Sequence, residues 1–423
     1  MKRAIWILTI CVVVAMVTTS CKKDLFDQQK AEELLKYEFH NDTIDANHTW
    51  TLLNDLTLNI TANVAGTDHV EVLSANPYAG RSEILGSAIV RENEQTTLYC
   101  SVPDIQDSIY VAAVDGSGKY TVVAIKPTSR DVNFTTLNTR NTGQLTAPTL
   151  QEVWYCFCTG FPDANATWGF NDLVLHVSKE VINEYRLRLN VTLAAVGTTS
   201  QLAAALRLNN VRFSDVASVT VDGPSNAFIR YPDRQRMIIE SSDLLLEARD
   251  GTAVINLFDD AHAVYKIIEA SNGVVTRALF NVSHDVLAGA AFAEWSPVTV
   301  SYDIVFREPG RARRISYGDF DPFIVYYRLA MRMEVHKYTY KFHESLNSMY
   351  DGRAAAYDNG YTWALEVPYT WFRYPTYGNA MGSYKNGAIY GAYQRMTHSF
   401  GEWAADRNAA KDWYLYPVTT MVY

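Results

Sequence analysis

The sequence predicts a mainly β protein: an N-terminal tether, a small antiparallel β-sandwich, and a larger antiparallel β-rich domain with a C-terminal helix. Short runs of the chain alternate polar and apolar residues, which is the period of a half-buried strand. Turn-forming Gly, Asn and Asp residues separate these runs. With 423 residues, the chain is also long enough to bury two or more hydrophobic cores.

Residues 1–20 have the layout of a secretory signal peptide. Lys2 and Arg3 form a basic start, an apolar segment runs to Val17, and small residues precede Cys21. A cysteine in this position is typical of a bacterial lipobox, so we expect cleavage before Cys21 and acyl chains such as palmitate on it. The alternative is a secreted protein in which Cys21 is incidental. Thr18 favours this alternative, because lipoboxes usually carry Leu or Val three residues before the cysteine.

Residues 21–45 are predicted to form the lipidated tether. Two or three acyl chains anchor a protein stably, whereas one chain anchors it only marginally. Lys22 and Lys23 follow Cys21 in place of the Asp that retains some lipoproteins at the inner membrane. We therefore expect an exported protein that is lipid-anchored to the outer membrane, and the face of that membrane stays open.

Composition excludes some classes of partner. After residues 1–20 are removed, 35 basic residues (37 less Lys2 and Arg3) stand against 46 acidic ones, a net charge of −11. Such a surface argues against nucleic acid, whose binding depends on neutralising phosphates. Cys100, Cys156 and Cys158 are an odd number of cysteines, so they cannot form a complete disulfide framework, and their redox state stays open.

Residues 46–132 are predicted to form a β-sandwich of immunoglobulin-like size. Residues 49–52 and 56–61 alternate polar and apolar side chains, as half-buried strands do. Residues 110–114 and 120–125 flank a turn at 115–119, in which Gly supplies a positive φ, and this pattern predicts a hairpin. Residues 133–150, rich in Thr, Asn and Gly, are predicted to be a linker.

Residues 151–423 are predicted to form the larger β-rich domain. Residues 186–193 and 298–306 alternate along most of their length and predict strands. Near the C-terminus, apolar residues recur at intervals of three and four and predict one face of a helix. These residues are Ile389, Ala392, Tyr393, Met396, Phe400 and Trp403.

Three blocks of this region carry a resemblance to a known family. They are Phe161–Asp163 with Gly169–Val174; Asp321–Ile324 with Glu334–His336; and Thr362–Pro368, Tyr374–Pro375, Ala392–Tyr393, Trp403–Ala404 and Asp412–Tyr414. In order and spacing they resemble the LruC-domain family of bacterial lipoproteins, and residues 44–50 are similar to the segment that follows the anchor in that family. The resemblance implies a β-rich lipoprotein of the cell envelope and a domain of unknown function, without implying a reaction.

Two groups of residues are candidate binding sites. Asp163, Asn165, Asn171 and Asp172 supply oxygen ligands of the kind that calcium prefers, although Gly169 stands where the LruC family has an acid. Calcium is the one cofactor that the sequence suggests. The alternative is that Asn171 and Asp172 cap local backbone N–H groups.

The second group is aromatic. Residues 350–416 contain 17 aromatic residues among 67, about twice the average of the chain, so an exposed row here would suit a glycan. The row consists of Trp363, Tyr369, Trp371, Tyr374 and Tyr377. The alternative is packing in the core, where aromatic side chains dominate the buried area.

Signatures of enzymes are mostly absent from the sequence, including the Gly-x-Ser-x-Gly elbow and the zinc-protease helix. We therefore expect a non-catalytic binding or adhesion module for a glycan or a surface protein. One alternative is an assembly or accessory subunit of a surface fibre. The other is a glycan-processing enzyme, whose paired carboxylates cannot be recognised without geometry.

Overall fold

A computed structural model of the chain describes residues 45, 47–135, 138–139, 141–159, 169–222, 228, 245–264, 268–269, 275–276, 279–280, 292–293, 296–328, 331–337, 362–376, 381, 398–419 and 421–423. Strands dominate these residues and nearly all pair antiparallel, so the predicted mainly β class is confirmed. Within these ranges, no helix has the length and apolar character needed to cross a membrane.

The first eight strands form two sheets around one core. They are β1 (Leu53–Thr61), β2 (Thr67–Leu73), β3 (Glu83–Ile89), β4 (Gln95–Pro103), β5 (Ile109–Asp115), β6 (Tyr120–Ile125), β7 (Asp131–Val132) and β8 (Thr149–Leu150). One sheet has the order β4-β1-β7 and the other the order β6-β5-β2-β3-β8. Leu58 and Leu98 from the first sheet pack with Val72 and Val111 from the second, which makes this unit a β-sandwich.

The predicted hairpin at residues 110–125 is confirmed, because β5 and β6 pair antiparallel over six residues each. The Asp115 carboxylate accepts hydrogen bonds from the backbone N–H groups of Ser117 (2.9 Å) and Lys119 (3.0 Å). Gly118 has a φ of +80°, which a residue with a Cβ rarely adopts. Local turn chemistry therefore sets the register of this pair.

The strand predicted at residues 49–52 is wrong, because β1 begins only at Leu53. Trp50 has a φ of +52°, outside the extended region. Its backbone N–H donates to Nδ1 of His48 (2.9 Å), which closes a tight turn. This hydrogen bond explains why an alternating sequence does not form a strand here.

The described residues of the expected linker, 133–150, lie against the first sandwich. The side-chain oxygen of Asn141 accepts the N–H of Val122 (2.7 Å). The Asn138 amide exchanges two hydrogen bonds with the backbone of Ala124 (2.8 and 2.7 Å). Two side-chain amides thus occupy the outer edge of β6, where another strand would otherwise pair.

The larger region contains fifteen further described strands and two short helices. They are β9 (Glu152–Phe157), β10 (Leu173–Asn183), β11 (Arg186–Val196), β12 (Ala203–Arg212), β13 (Val216–Asp222), β14 (Leu246–Arg249), β15 (Thr252–Phe258), α1 (Ala261–Val264), β16 (Ile268–Glu269), β17 (Val275–Thr276), β18 (Leu279–Phe280), β19 (Phe292–Ala293), β20 (Val298–Phe306), β21 (Phe320–Arg328), β22 (Met331–Val335), β23 (Ala364–Val367) and α2 (Phe400–Ala405). Single 3₁₀ turns lie at Phe213–Asp215, Ala312–Arg314, Tyr317–Asp319 and Trp413–Leu415.

Two large sheets of this region pack around a second core. An eight-stranded sheet has the order β13-β20-β11-β10-β9-β23, with β18 beside β11 and β19 beside β18. A five-stranded sheet has the order β14-β15-β12-β21-β22, and β16 pairs with β17. Leu175 and Leu189 of the first sheet pack with Leu206 and Ile255 of the second. The strands predicted at residues 186–193 and 298–306 are confirmed as β11 and β20, and their inward positions are apolar.

The C-terminal helix is shorter in the described residues than the periodic pattern predicts. Ser399 is extended and its hydroxyl accepts the N–H of Glu402 (3.1 Å), while the Glu402 carboxylate accepts the N–H of Ser399 (3.0 Å). This capping box starts α2 at Phe400. The earlier residues of the predicted face, Ile389, Ala392, Tyr393 and Met396, lie outside the described residues.

An aromatic cluster, formed by Trp50, Phe372, Tyr374, Trp403 and Trp413, joins the start of the folded chain to its end. The ring centres of Trp50 and Trp403 are 5.5 Å apart, those of Trp403 and Trp413 are 5.9 Å apart, and those of Phe372 and Trp413 are 6.3 Å apart. The root of the predicted tether is therefore packed against the C-terminal helix.

Of the described cysteines, Cys100 and Cys156 are buried free thiols. Cys100 lies in the core of the first sandwich, whereas Cys156 lies in the packing around the aromatic cluster and Cys158 lies against it. Burial raises the pKa of Cys100 to about 12. Thiols this protonated are poor nucleophiles, so Cys100 acts as a packing residue.

Candidate functional site

The outward face of the eight-stranded sheet carries hydrogen-bonded polar side chains. The amide of Asn190 donates to the Ser178 hydroxyl (3.1 Å) and accepts from the Ser301 hydroxyl (2.6 Å). One step along the strands, the hydroxyls of Thr192 and Thr299 are 2.8 Å apart. Together with His176 opposite Thr192, these side chains form two rows across β10, β11 and β20, called here the polar rows: His176, Ser178, Asn190, Thr192, Thr299 and Ser301.

A cleft of about 550 Å³, the sheet cleft, opens over these rows. Glu152, Thr370 and Trp371 complete its walls. The indole of Trp371 is 46% exposed. Among the described tryptophans it is the one with an exposed ring, so the cleft combines an open aromatic surface with hydroxyl and amide groups.

The sheet cleft carries little net charge. Burial lowers the pKa of His176 to about 4, so this imidazole is neutral at pH 7. Its Nδ1 lies 3.5 Å from a carboxylate oxygen of Glu152. Burial raises the pKa of Glu152, and the nearby Glu83 raises it further. The cleft therefore presents mainly neutral hydrogen-bonding groups.

A second cleft of about 490 Å³, the junction cleft, lies where the first sandwich meets the C-terminal segment. Its lining includes Arg81, Glu83 and Gln106 from the sandwich, and Tyr369, Trp371 and Tyr414 from the C-terminal segment. The guanidinium carbon of Arg81 is 5.8 Å from the centre of the Trp371 ring. Trp371 thus lines both clefts.

The predicted aromatic row does not lie on one surface. Trp371 is exposed, and Tyr369 contacts its ring edge-to-face at 5.6 Å. Trp363 and Tyr374 are only 4% and 3% exposed, so the prediction that they stack on a ligand is wrong. Trp363 belongs to the core between the large sheets, and Tyr374 belongs to the aromatic cluster. Tyr377 lies outside the described residues.

The calcium site stays a prediction. Asp163 and Asn165 lie outside the described residues, as does the lipidation residue Cys21. The Asp172 carboxylate accepts the N–H (2.5 Å) and hydroxyl (2.6 Å) of Thr159, and the Asn171 amide donates to the carbonyl of Pro375 (3.0 Å). Among the described residues, no group of three or more His, Cys, Asp or Glu side chains could hold a metal ion.

A buried ionic cluster joins the two halves of the second sequence block. Asp321 lies 2.6 Å from Nδ1 of His336, and Arg249 holds both oxygens of Glu334 at 2.7 and 3.2 Å. Burial alone would lower the pKa of His336, but Asp321 and Glu334 together raise it. The Phe323 ring stacks on His336 at 4.4 Å. Because these buried charges are paired with one another, we interpret the cluster as a structural element.

Sequence reasoning missed the polar rows and Glu83. The signal for the rows was present, because the outward positions of an alternating strand can be read as readily as the inward ones. In β11 these positions are Asn190 and Thr192, and in β20 they are Thr299 and Ser301. No local pattern marks Glu83, which lines the junction cleft only through the packing of two separate units.

The fold and site define a β protein made of two sandwiches, with open polar clefts beside an exposed tryptophan. The family described as "Domain of unknown function (DUF4842)" matches residues 183–414, more than half of the chain, and the chain belongs to this family. Among solved structures, it is similar to the crystal structure of a putative lipoprotein from Bacteroides ovatus, with 14% sequence identity and a TM-score of 0.50. The similarity covers 84% of this chain and 99% of that one, and it concerns the fold. No curated protein matches the chain.

Proposed function

We propose that this protein is an exported lipoprotein of the bacterial outer membrane, anchored through Cys21, which binds glycans without cleaving them. The signal peptide and lipobox at residues 1–21 support the anchor, and so does a similar fold in a protein described as a lipoprotein. The three sequence blocks support an LruC-type domain, and the second and third of them lie within the family region at residues 183–414. Exposure at the cell surface completes the proposal, because a glycan-binding module needs access to glycans.

One observation carries the binding function: the exposed ring of Trp371 stands beside the polar rows of the sheet cleft. Sugar rings present apolar C–H groups on one face and hydroxyl groups around the edge. An aromatic ring packs against the C–H face, and amide, hydroxyl and carboxylate groups form hydrogen bonds with the hydroxyl groups. Asn190, Thr299 and Glu152 supply those groups within the same cleft.

The lining of the sheet cleft favours binding over hydrolysis. Glycoside hydrolysis commonly uses two carboxyl groups that flank the scissile bond. In the described lining of this cleft, Glu152 is the one carboxylate. His176 beside it is neutral at pH 7, because its pKa is about 4, and so it has no acidic proton to give as a second acid. Glu83, in the lining of the neighbouring junction cleft, is close enough to raise the pKa of Glu152. The proposal is therefore one of binding, and an assay for new reducing ends on the bound sugar tests for cleavage by these two acids.

A glycan array, probed with and without calcium, tests the binding function. Trp371→Ala is expected to weaken binding at least about tenfold, because burying such a side chain is worth more than ~1.4 kcal/mol. Tyr327→Ala is the matched control, since Tyr327 is equally exposed (49%) but lies on β21 outside both clefts. Equal binding by both variants, or no binding to any glycan, would refute the proposal.

Membrane fractionation tests the anchor. Cys21→Ala is expected to be lost from the outer-membrane fraction, because acylation needs that thiol and an uncleaved precursor stays at the inner membrane through its apolar signal segment. Cys158→Ala serves as the control and stays with the membrane. Recovery of the Cys21→Ala protein in the outer-membrane fraction would show that lipid on Cys21 is not the anchor.

A further inference from the structure

Trp371 is shared by two clefts that lie on different parts of the molecule. The sheet cleft lies over the large domain, and the junction cleft lies between Tyr369 and Tyr414 on one side and the first sandwich on the other. Each volume, about 550 and 490 Å³, falls within the range of small-molecule sites, ~300–1,000 Å³. A ligand that stacks on the indole therefore has room to continue on both sides of it.

The junction cleft contains a polar group whose bonding is incomplete. Glu83 is only 7% exposed, and its Oε1 has no hydrogen-bond partner in the described part of the chain. A buried carboxylate oxygen without a donor carries an uncompensated loss of hydration. Burial raises the pKa of Glu83, and hydrogen bonds from Thr370 oppose that rise. Oε1 is buried, so a rotation of the Glu83 side chain towards the junction cleft, whose lining it joins, would let a sugar hydroxyl supply the missing donor.

The charges around the two clefts limit the class of ligand. Glu83 and Glu152 are acidic, Arg81 is basic, and His176 is uncharged at neutral pH. The lining therefore has a net charge of −1, which disfavours a ligand that carries carboxylates. Gln106 adds a neutral amide that can both donate and accept.

We infer that the two clefts form one continuous site for a neutral oligosaccharide that crosses Trp371, with Glu83 accepting a hydrogen bond from a sugar hydroxyl in the junction cleft. This inference rests on the proposed glycan-binding function and names its class of ligand. Arg81 acts as a positioning residue, because its cation–π contact holds the indole at the boundary between the clefts.

Calorimetric titration of the mature protein tests the inference, using linear glucose and mannose oligosaccharides of two to six units and oligogalacturonates of the same lengths. Affinity for a neutral series is expected to rise at least about tenfold between two and four units, and oligogalacturonates are expected to bind more weakly. The variants Glu83→Ala and Gln106→Ala are each expected to bind the four-unit sugar without this tenfold gain in affinity. The control Glu180→Ala removes an exposed carboxylate of β10 outside the clefts, and it should leave the gain in affinity unchanged.

The outcomes separate the two proposals. If affinity does not rise with length while Trp371→Ala still abolishes binding, the continuous site is refuted and the glycan-binding function stands. The same holds if both Glu83→Ala and Gln106→Ala keep the gain, or if oligogalacturonates bind more tightly than neutral sugars. If no glycan binds at all, both proposals fail. Near-UV circular dichroism checks that each variant is folded, so that weaker binding of the four-unit sugar cannot be attributed to unfolding.

Discussion

Lys337 and Glu366 form an ion pair that is almost wholly removed from water, with the two residues 4% and 3% exposed. Nζ of Lys337 lies 3.2 Å from Oε1 of Glu366 and also donates to the carbonyl of Tyr317. The hydroxyl of Thr51 donates to the other carboxylate oxygen at 3.2 Å. Each charge has partners, so the pair offsets a desolvation cost that neither residue could offset alone.

Removing one member of this pair is expected to be far more harmful than removing both. Lys337→Met leaves Glu366 charged and buried, and we expect the free energy of unfolding to fall by ~3–5 kcal/mol. The double variant Lys337→Met/Glu366→Leu should recover most of that loss, because no charge remains to be desolvated. Urea denaturation of the three proteins measures this, and a single variant as stable as the wild type would contradict it.

At the scale of residues, the aromatic composition predicted a binding region but could not separate exposed side chains from buried ones. The aromatic density around residue 371 predicted candidate ligand contacts near the C-terminus, and Trp371 is an exposed member of that row. Composition cannot tell Trp371, which is exposed, from Trp363, which is buried eight residues earlier. The difference arises because β23 joins the eight-stranded sheet and carries Trp363 into the core, and that pairing is made with β9, some 200 residues away in the sequence.

At the scale of elements, the open edge of β6 is closed by side chains instead of by a strand. Because Val122 is fully buried, its N–H depends on Asn141 for an acceptor, whereas Ala124, bonded to Asn138, is only partly buried. Edge strands with free N–H groups invite pairing with other chains, so these two amides also protect the sandwich from association.

Asn141→Ala is expected to destabilise the first sandwich by ~1–3 kcal/mol, the cost of a buried N–H group without a partner. Asn138→Ala should cost less, since water can reach the backbone of Ala124. Hydrogen exchange at the Val122 amide measures the effect directly. Unchanged protection of that amide in Asn141→Ala would rule out this role.

The capping box of α2 gives a second prediction for an element. Ser399→Ala should lower stability by ~1 kcal/mol, because the N–H of Glu402 loses its acceptor. Glu402→Gln keeps both hydrogen bonds of the box and should behave nearly as the wild type. Thermal unfolding of the two variants compares them, and equal melting temperatures would argue against the cap.

Elements were predictable where their determinants are local. The turn at residues 115–119 determines the hairpin at 110–125. The alternation of polar and apolar residues within β11 and β20 identifies each of them as a strand. The start of α2 was missed although Ser399 and Glu402 have the spacing of a capping box, because the apolar period continues upstream of Ser399. The order of strands within each sheet could not be predicted, since it depends on contacts between distant segments.

At the scale of the whole molecule, His48 connects the two ends of the folded chain. Its Nε2 donates to the carbonyl of Trp403 (2.9 Å), and its Nδ1 accepts the N–H of Trp50 (2.9 Å). Burial lowers the pKa of His48 to about 4, against an ordinary value near 6.5. Protonation of Nδ1 would break the bond from Trp50, so the packing of the tether root requires the neutral ring.

Acid should therefore loosen this junction. The folded state holds fewer protons on His48 than the unfolded state, so the stability it contributes is present above pH 6.5 and is lost as the pH falls through that value towards 4. We expect a loss on the order of 3 kcal/mol across this window. His48→Phe, which cannot titrate, should flatten the pH dependence of the melting temperature. An unchanged slope would show that other groups dominate.

The division into a tether, a small sandwich and a larger β domain came from shifts in composition along the chain, and it remains a prediction. The joining of residues 45–50 to the C-terminal helix was beyond sequence reasoning, because Trp50 and Trp403 are separated by almost the whole protein. For the same reason the clefts beside Trp371, built from both units, carry no signature in any single segment.

The aromatic cluster has a mechanical consequence for a protein held by its lipid. Under the proposed function, a glycan bound at Trp371 would pull on a side chain next to Phe372, and the tension would pass through Trp413 and Trp403 to Trp50, five residues after the predicted tether. This path runs through ring contacts with centres 5.5 to 6.3 Å apart, so the strands of the first sandwich need not carry the force. Under shear, the attachment should give way at the sugar or the lipid before the fold between them yields.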